Sequence, residues 1–413
     1  MEERLWKNKQ FVWFISGQTV CEFGSAVHLF VLPWLLLQIT GSATVLGIAM
    51  AVGFLPYLLL SLPFGALADR HDRKLLMLAA NAGRLVLTAS IPIAALFREL
   101  HPVHLFIVQG GMSAMGALFD AGYVASLPSI VTKKQLQEAN AALQGGISVS
   151  QLSGPAIAGL LISWFGGSYT LSFTAASFLI SVLSLRMISS SFKGEGGDRE
   201  RLTAQRMMKQ IGEGVRYVMN HSLIRPLTVL AMMINLSALA MNPAMLYRLQ
   251  TEMGLDSKAA GFVMAGWGVG TVIGSLAAAK FFKRLRLGIV MVFSLSLQIV
   301  TPFLVVFVEQ TTVMLIAYAI YGFAVVLWNV QSLSLRQSVI PSELMGRATT
   351  TIRFLVFATI PLGTVIGGAL SEHFGAVTAF LFSGAIQLVI WLWAFRNRLF
   401  FTETPGVGAS QTM

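Results

Sequence analysis

The 413-residue chain is 55% hydrophobic, only 11% charged and carries a formal net charge of +11. With a mean hydropathy of +0.72 it is not an ordinary water-soluble domain, in which about a quarter of residues are charged. Its basic residues lie between apolar runs rather than in one patch, which argues against a soluble nucleic-acid binder, and a lone cysteine, Cys21, excludes an intrachain disulfide.

Twelve apolar runs set the organisation, because a helix needs roughly 20 apolar residues to cross a hydrocarbon core about 30 Å thick. They cover residues 11–38, 44–68, 75–97, 104–127, 141–165, 169–189, 224–250, 258–281, 287–308, 312–336, 347–373 and 376–398. This predicts an all-α integral membrane protein of two six-helix halves, 1–189 and 223–413, the second ending in a short tail, with a linker over 190–222 between them. Met1 to Gln10 is charged and the first run is too long for a signal h-region, so no cleavable signal peptide is expected.

In chain order, the first run places Glu22 about 16 Å from its start at 1.5 Å per residue, with His28 farther along as an expected packing residue. The second run ends in Gly65-Ala66-Leu67-Ala68-Asp69-Arg70-His71-Asp72-Arg73-Lys74. There Gly65 is small enough for close helix approach, and Asp69 is placed to accept from a helix N-terminus or an Arg. Counted from the same membrane face, Arg84 lies roughly 14 Å into the third run from its start and Asp120 roughly 10 Å into the fourth from its end. Ionisable groups are costly inside a bilayer, so Glu22, Arg84 and Asp120 are functional candidates; a structural latch between Arg84 and one carboxylate is the alternative.

The fifth run carries Ser150, Gly154, Pro155 and Gly159, small residues at helix-contact spacing around a helix-bending proline. The charged linker follows. Its later part sets Met207, Met208, Ile211, Val215, Val218 and Met219 opposite Arg206, Lys209, Glu213 and Arg216. That stripe fits a helix lying on the membrane surface or packed under the bundle. In the second half, Asn235, Asn242, Asn329 and Gln331 are the expected polar lining of a substrate cavity.

The halves repeat. An offset of 209 residues lays Gly154, Gly159 and Phe165-Gly166 over Gly363, Gly368 and Phe374-Gly375, and Gly65 over Gly274. Transporter folds are often built from such repeats, with the site between them. Charge sets the orientation. Arg4, Lys7, Lys9, Arg70, Arg73, Lys74, Lys133, Lys134, the linker bases, Lys280, Lys283, Arg284, Arg286, Arg336, Arg347, Arg396 and Arg398 fall on one face, against Arg98, Arg248 and Lys258 on the other. Both termini are therefore expected to be cytoplasmic, in a multi-pass cell-membrane protein.

The loop after the second run resembles the major facilitator superfamily signature G-x-L-x-D-R-x-G-R-K, matching at Gly65, Leu67, Asp69, Arg70, Arg73 and Lys74, with Asp72 in place of its glycine. Ser150, Gly154, Pro155 and Gly159 resemble the G-x-x-x-G-P-x-x-x-G motif of drug exporters in that superfamily, with Ser for the first Gly. The Arg that the exporters carry on the fourth helix is absent near Phe106, where only Gln109-Gly110 remains. With Leu32-Pro33-Trp34, Thr40-Gly41-Ser42 and Leu127-Pro128, the chain is similar to the macrolide-efflux-like branch.

This resemblance implies an alternating-access secondary transporter of small molecules, usually proton-driven. Export of amphiphilic or drug-like compounds is expected; an importer or lipid facilitator is the alternative, and a transporter-like sensor a third class. Glu22 or Asp120 is expected to carry the proton with Arg84 beside one of them. Gly65, Asp69, Arg70 and Arg73 are expected to form a cytoplasmic gate with Glu138 and Arg347. No phosphate loop, H-E-x-x-H site or Cys cluster occurs, so an enzyme or a cofactor is not expected.

Overall fold

The structure is a computed structural model and describes residues 5–123, 126–189, 204–280 and 287–396. Within these, twelve helical spans are long and apolar enough to cross a membrane. The first six are α1 Lys9–Thr40, α2 Ala43–Ala68, α3 Arg73–Leu96, α4 Pro102–Tyr123, α5 Leu136–Phe165 and α6 Gly167–Met187. The linker contributes α7 Ala204–Asn220, and then come α8 Ile224–Tyr247, α9 Ser257–Lys280, α10 Leu287–Phe307 and α11 Thr311–Val339. A bent span, α12 Ser342–Phe357 with α13 Thr359–Phe374, precedes α14 Ala376–Arg396. Arg4, the linker charges from Lys193 to Arg201, the loop bases Lys283, Arg284 and Arg286, and Arg398 lie outside the described residues.

Local chemistry explains the boundaries. Asn8 caps α1 by accepting from the Gln10 and Phe11 amides at 3.0 and 3.3 Å. At the other end Gly41 takes φ 64, a left-handed turn that suits a residue without Cβ. Ser42 then caps α2 at once through the Val45 amide at 3.1 Å. The run read as 347–373 is two helices rather than one. Pro361 cannot donate to the carbonyl four residues back, and its ring crowds that carbonyl, so the helix breaks at Ala358.

Large apolar side chains face outward along the spans, among them Val86 at 68% exposure, Leu276 at 67% and Val389 at 66%. Such a belt is stable only against hydrocarbon. Helices α1–α6 pack on one another, and α8–α14 do the same. Two main crossings join the groups, α2 on α13 and α5 on α9, with a smaller contact of α2 on α8. They are the same crossing under the 209-residue offset, which carries α2 onto α9 and α5 onto α12–α13. Equivalent glycines serve both: a Cβ on Gly159 would strike the Ser257 carbonyl of α9, and one on Gly368 the Ala43 carbonyl at the start of α2.

The linker helix packs against the second half. α7 lies on α12 and α8, with Val218 fully buried, while Val215 and Met219 stay exposed. Met207, Met208, Ile211, Arg206 and Lys209 have side chains outside the described set.

Candidate functional site

A polar cluster sits within the first six spans. On α1, Glu22 accepts from Gln18 Nε2 at 2.7 Å. On α4, Asp120 accepts from the Tyr57 hydroxyl of α2 at 2.9 Å. Tyr57 is set in place by its own backbone, whose amide donates to Ser113 Oγ of α4 at 3.1 Å. Arg84 of α3 is near enough to act on both acids, and its guanidinium lies 5.2 Å from the centre of the Phe119 ring and 5.6 Å from that of Phe178. Arg84 also donates to Asn81 Oδ1 at 3.4 Å and lies 3.8 Å from Cys21 Sγ, while Asn81 donates to Ser181 of α6 at 2.9 Å.

The ion pair anticipated between Arg84 and one of the acids is not formed among the described residues: aromatic faces and a neutral amide hold the guanidinium instead. Its charge still acts on both carboxylates, and Asp120 acts on Glu22. Three ionisable groups therefore share one desolvated region, and with all three charged it would hold one net negative charge, an arrangement costly to keep unless a cation or proton joins it. His28 is buried against Gln109 at 3.3 Å, so the glutamine standing in the fourth-helix exporter motif packs between α1 and α4.

On the other half, Asn235 has a defined task. Its amide donates to the Val356 carbonyl at 2.9 Å and to Thr359 Oγ1 at 3.0 Å, tying α8 to the break between α12 and α13. Asn242 is half-buried, Asn329 exposed and Gln331 buried.

Two residues that matter were missed in the sequence. Arg353 lies eleven residues into α12, about 16 Å along the helix at 1.5 Å per residue. Its guanidinium stacks 5.6 Å from the Phe357 ring, Phe357 meets Phe54 of α2 edge-on at 5.6 Å, and its charge reaches Tyr57. The signal was available, since Arg353 is an ionisable residue inside an apolar run. Glu372 at the end of α13 accepts from Ser42 Oγ at 2.5 Å and from the Thr44 amide at 2.8 Å.

Asp69 and Glu138 are exposed and make no hydrogen bond or ion pair among the described residues. Arg347 pairs with Glu213 of α7 at 2.6 Å. The close helix approach expected at Gly65 is not made here, for a Cβ there would meet nothing within 4 Å. Close approach belongs instead to the fifth-span motif: Gly154 lies against Ala26 of α1, Gly159 against α9, and Gly261 of α9 against the Pro155 carbonyl. Ser150 donates to the Gly146 carbonyl at 2.9 Å.

Contacts between the halves gather on the face away from Lys9 and Arg396. Besides Glu372 with Ser42 and Thr44, Ser257 donates to the Gly159 carbonyl at 3.0 Å and Gln250 to the Trp34 carbonyl at 3.4 Å.

Known proteins share this architecture. The chain is 25% identical over 368 residues to the multidrug efflux pump Tap of Mycolicibacterium fortuitum, covering 87% of this chain and 88% of Tap. It is 25% identical over 397 residues to macrolide efflux protein A of Streptococcus pyogenes, covering 93% and 95%. A bacterial homologue of the iron transporter ferroportin in its inward-facing state superposes with a TM-score of 0.73 at 17% identity, over 92% of this chain and 98% of that one. The outward-facing state superposes with 0.57 at 19% identity, over 95% and 98%. The family profile described as transmembrane secretion effector matches residues 6–412, and the chain belongs to that family of major facilitator transporters.

Proposed function

We propose that this protein exports small amphiphilic or drug-like molecules from the cell by alternating access, in exchange for protons. The termini lie on the cytoplasmic side, and the conformation described here is inward-facing. The observation that carries the conformational reading is the gathering of inter-half contacts on the face away from the termini, where α5 crosses α9 and Glu372 caps α2. The better superposition on an inward-facing neighbour than on an outward-facing one supports it. The efflux activity of Tap and of macrolide efflux protein A supports the direction.

In this reading Glu22 carries the proton. With both carboxylates ionised the cluster keeps one negative charge, and a proton on Glu22 neutralises it, so the halves can close over the site without burying an unbalanced charge. Arg84 and the Tyr57 hydroxyl keep Asp120 ionised as the fixed partner. Substrate lies between the halves, with Asn242, Asn329 and Gln331 as polar contacts and Asn235 shaping the wall through the α12–α13 bend. Asp69, Arg70, Arg73, Glu138 and Arg347 close the cytoplasmic side in the outward-facing state, for which Arg347 exchanges Glu213 for a partner on the first half.

Accumulation of a fluorescent amphiphile in cells with and without the protein tests this directly. Expression should lower accumulation, and dissipating the proton gradient should abolish the difference. Raised accumulation would make the protein an importer, and insensitivity to the gradient would remove the proton.

A further inference from the structure

A cavity of about 540 Å³ opens where the end of α7 meets the start of α8 beside the end of α14. It belongs to neither the polar cluster nor the contact between the halves. One wall is apolar, with Val229 and Met233 of α8 facing Val389 and Trp393 of α14. Val229 is 46% exposed and Val389 66%, so this wall runs on into the lipid-facing belt.

The rim has a different chemistry. Arg225 is the second residue of α8, is exposed, and has no acidic partner among the described residues. His221 spends Nδ1 on the Leu223 and Ile224 amides at 3.2 and 3.3 Å, which leaves Nε2–H as a donor. A shallower cleft extends the rim to Arg216, and the one acid along it, Glu213, is already held by Arg347. No carboxylate lines the larger cavity.

From these features we propose that the groove binds an anionic phospholipid of the leaflet on the face carrying the termini. The phosphate would lie on Arg225 and the His221 Nε2–H, near the partial positive charge of the α8 N-terminus, and one acyl chain would run along Val229, Met233, Val389 and Trp393. An apolar wall in the bilayer combined with a cationic rim at its surface selects an amphiphile with a negative head. A zwitterionic lipid would bring a second, positive group to a rim of donors and cations with no free acid to receive it. Because Glu213 binds Arg347 of α12, lipid here would also brace the linker helix against the bent span.

The test is native mass spectrometry of the delipidated full chain with phosphatidylglycerol or phosphatidylcholine at equal concentration. Phosphatidylglycerol should be retained several-fold better, and Arg225→Gln should cut its retention about fivefold, as expected for one juxtamembrane basic residue. Val229→Trp, which fills the groove and leaves the charges in place, should cut retention while the thermal midpoint stays near that of the parent. Equal retention of the two lipids, or undiminished retention in both variants, would overturn the proposal. So would displacement of the lipid by millimolar inorganic phosphate, which would make this a free-phosphate site. Removal of residues 397–413 should leave retention unchanged; a large rise would make the chain's own tail the occupant and overturn it too.

Discussion

Glu372 reaches from the second half to cap the first turn of a helix in the first, its Oε2 accepting from Ser42 Oγ at 2.5 Å and from the Thr44 amide at 2.8 Å. A carboxylate at a helix N-terminus satisfies an otherwise orphaned amide and complements the helix dipole. Here the cap spans the two halves, so it lasts only while this face is closed. Capping contributes about 1 kcal/mol, so Glu372→Ala should move the balance towards opening of this face by about fivefold. Spin-label distances between the ends of α2 and α13 on this face should show the longer population grow. An unchanged distribution would remove Glu372 from the closure.

The Asp69 side chain has no partner among the described residues, so its removal should cost this state little and the oppositely closed state whatever Asp69 gives it. Asp69→Asn should keep the thermal midpoint within about 0.5 kcal/mol of the parent, as for a surface substitution. It should also cut transport and enrich the present conformation. Full transport by that variant would sink the gate assignment.

The two membrane acids should separate by experiment. Glu22→Gln should abolish gradient-driven transport while ligand binding and downhill exchange survive. Asp120→Asn loses the charged acceptor of the Tyr57 hydroxyl, a bond contributing about 1.5–3 kcal/mol, and should mainly impair folding or binding, with Tyr57→Phe reproducing part of the loss. Uphill transport at the parental rate and an unchanged pH profile in Glu22→Gln would transfer the role elsewhere.

The repeat makes a paired prediction. Gly159→Leu and Gly368→Leu should each prevent the close crossing of α5 on α9 and of α2 on α13, with about 1–3 kcal/mol lost from this conformation by overpacking and transport lost in both. Gly65→Ala, at a site where a Cβ meets nothing within 4 Å, should leave the stability of this state unchanged. Melting curves of the three purified variants check it, and a destabilised Gly65→Ala with an intact Gly159→Leu would reverse the assignment.

The sequence by itself determined the spans, because twenty apolar residues have one economical place in a bilayer and a helix satisfies its backbone internally. It also showed the 209-residue repeat, which the crossed contacts α2 on α13 and α5 on α9 display in space. What lay beyond it were relations between side chains far apart in the chain. Arg84, Glu22 and Asp120 could be placed at similar depth from helix rise alone, but whether Arg84 meets a carboxylate or the faces of Phe119 and Phe178 depends on how α1, α3, α4 and α6 turn about their axes. Gly65 and Gly159 look alike in sequence; only the crossing of α5 on α9 makes one a contact and leaves the other open. Arg353 and Glu372 were visible as charges at or near apolar runs, yet their partners Phe357, Ser42 and Thr44 were decided by the docking of the halves, since depth in the bilayer follows from composition whereas facing follows from packing.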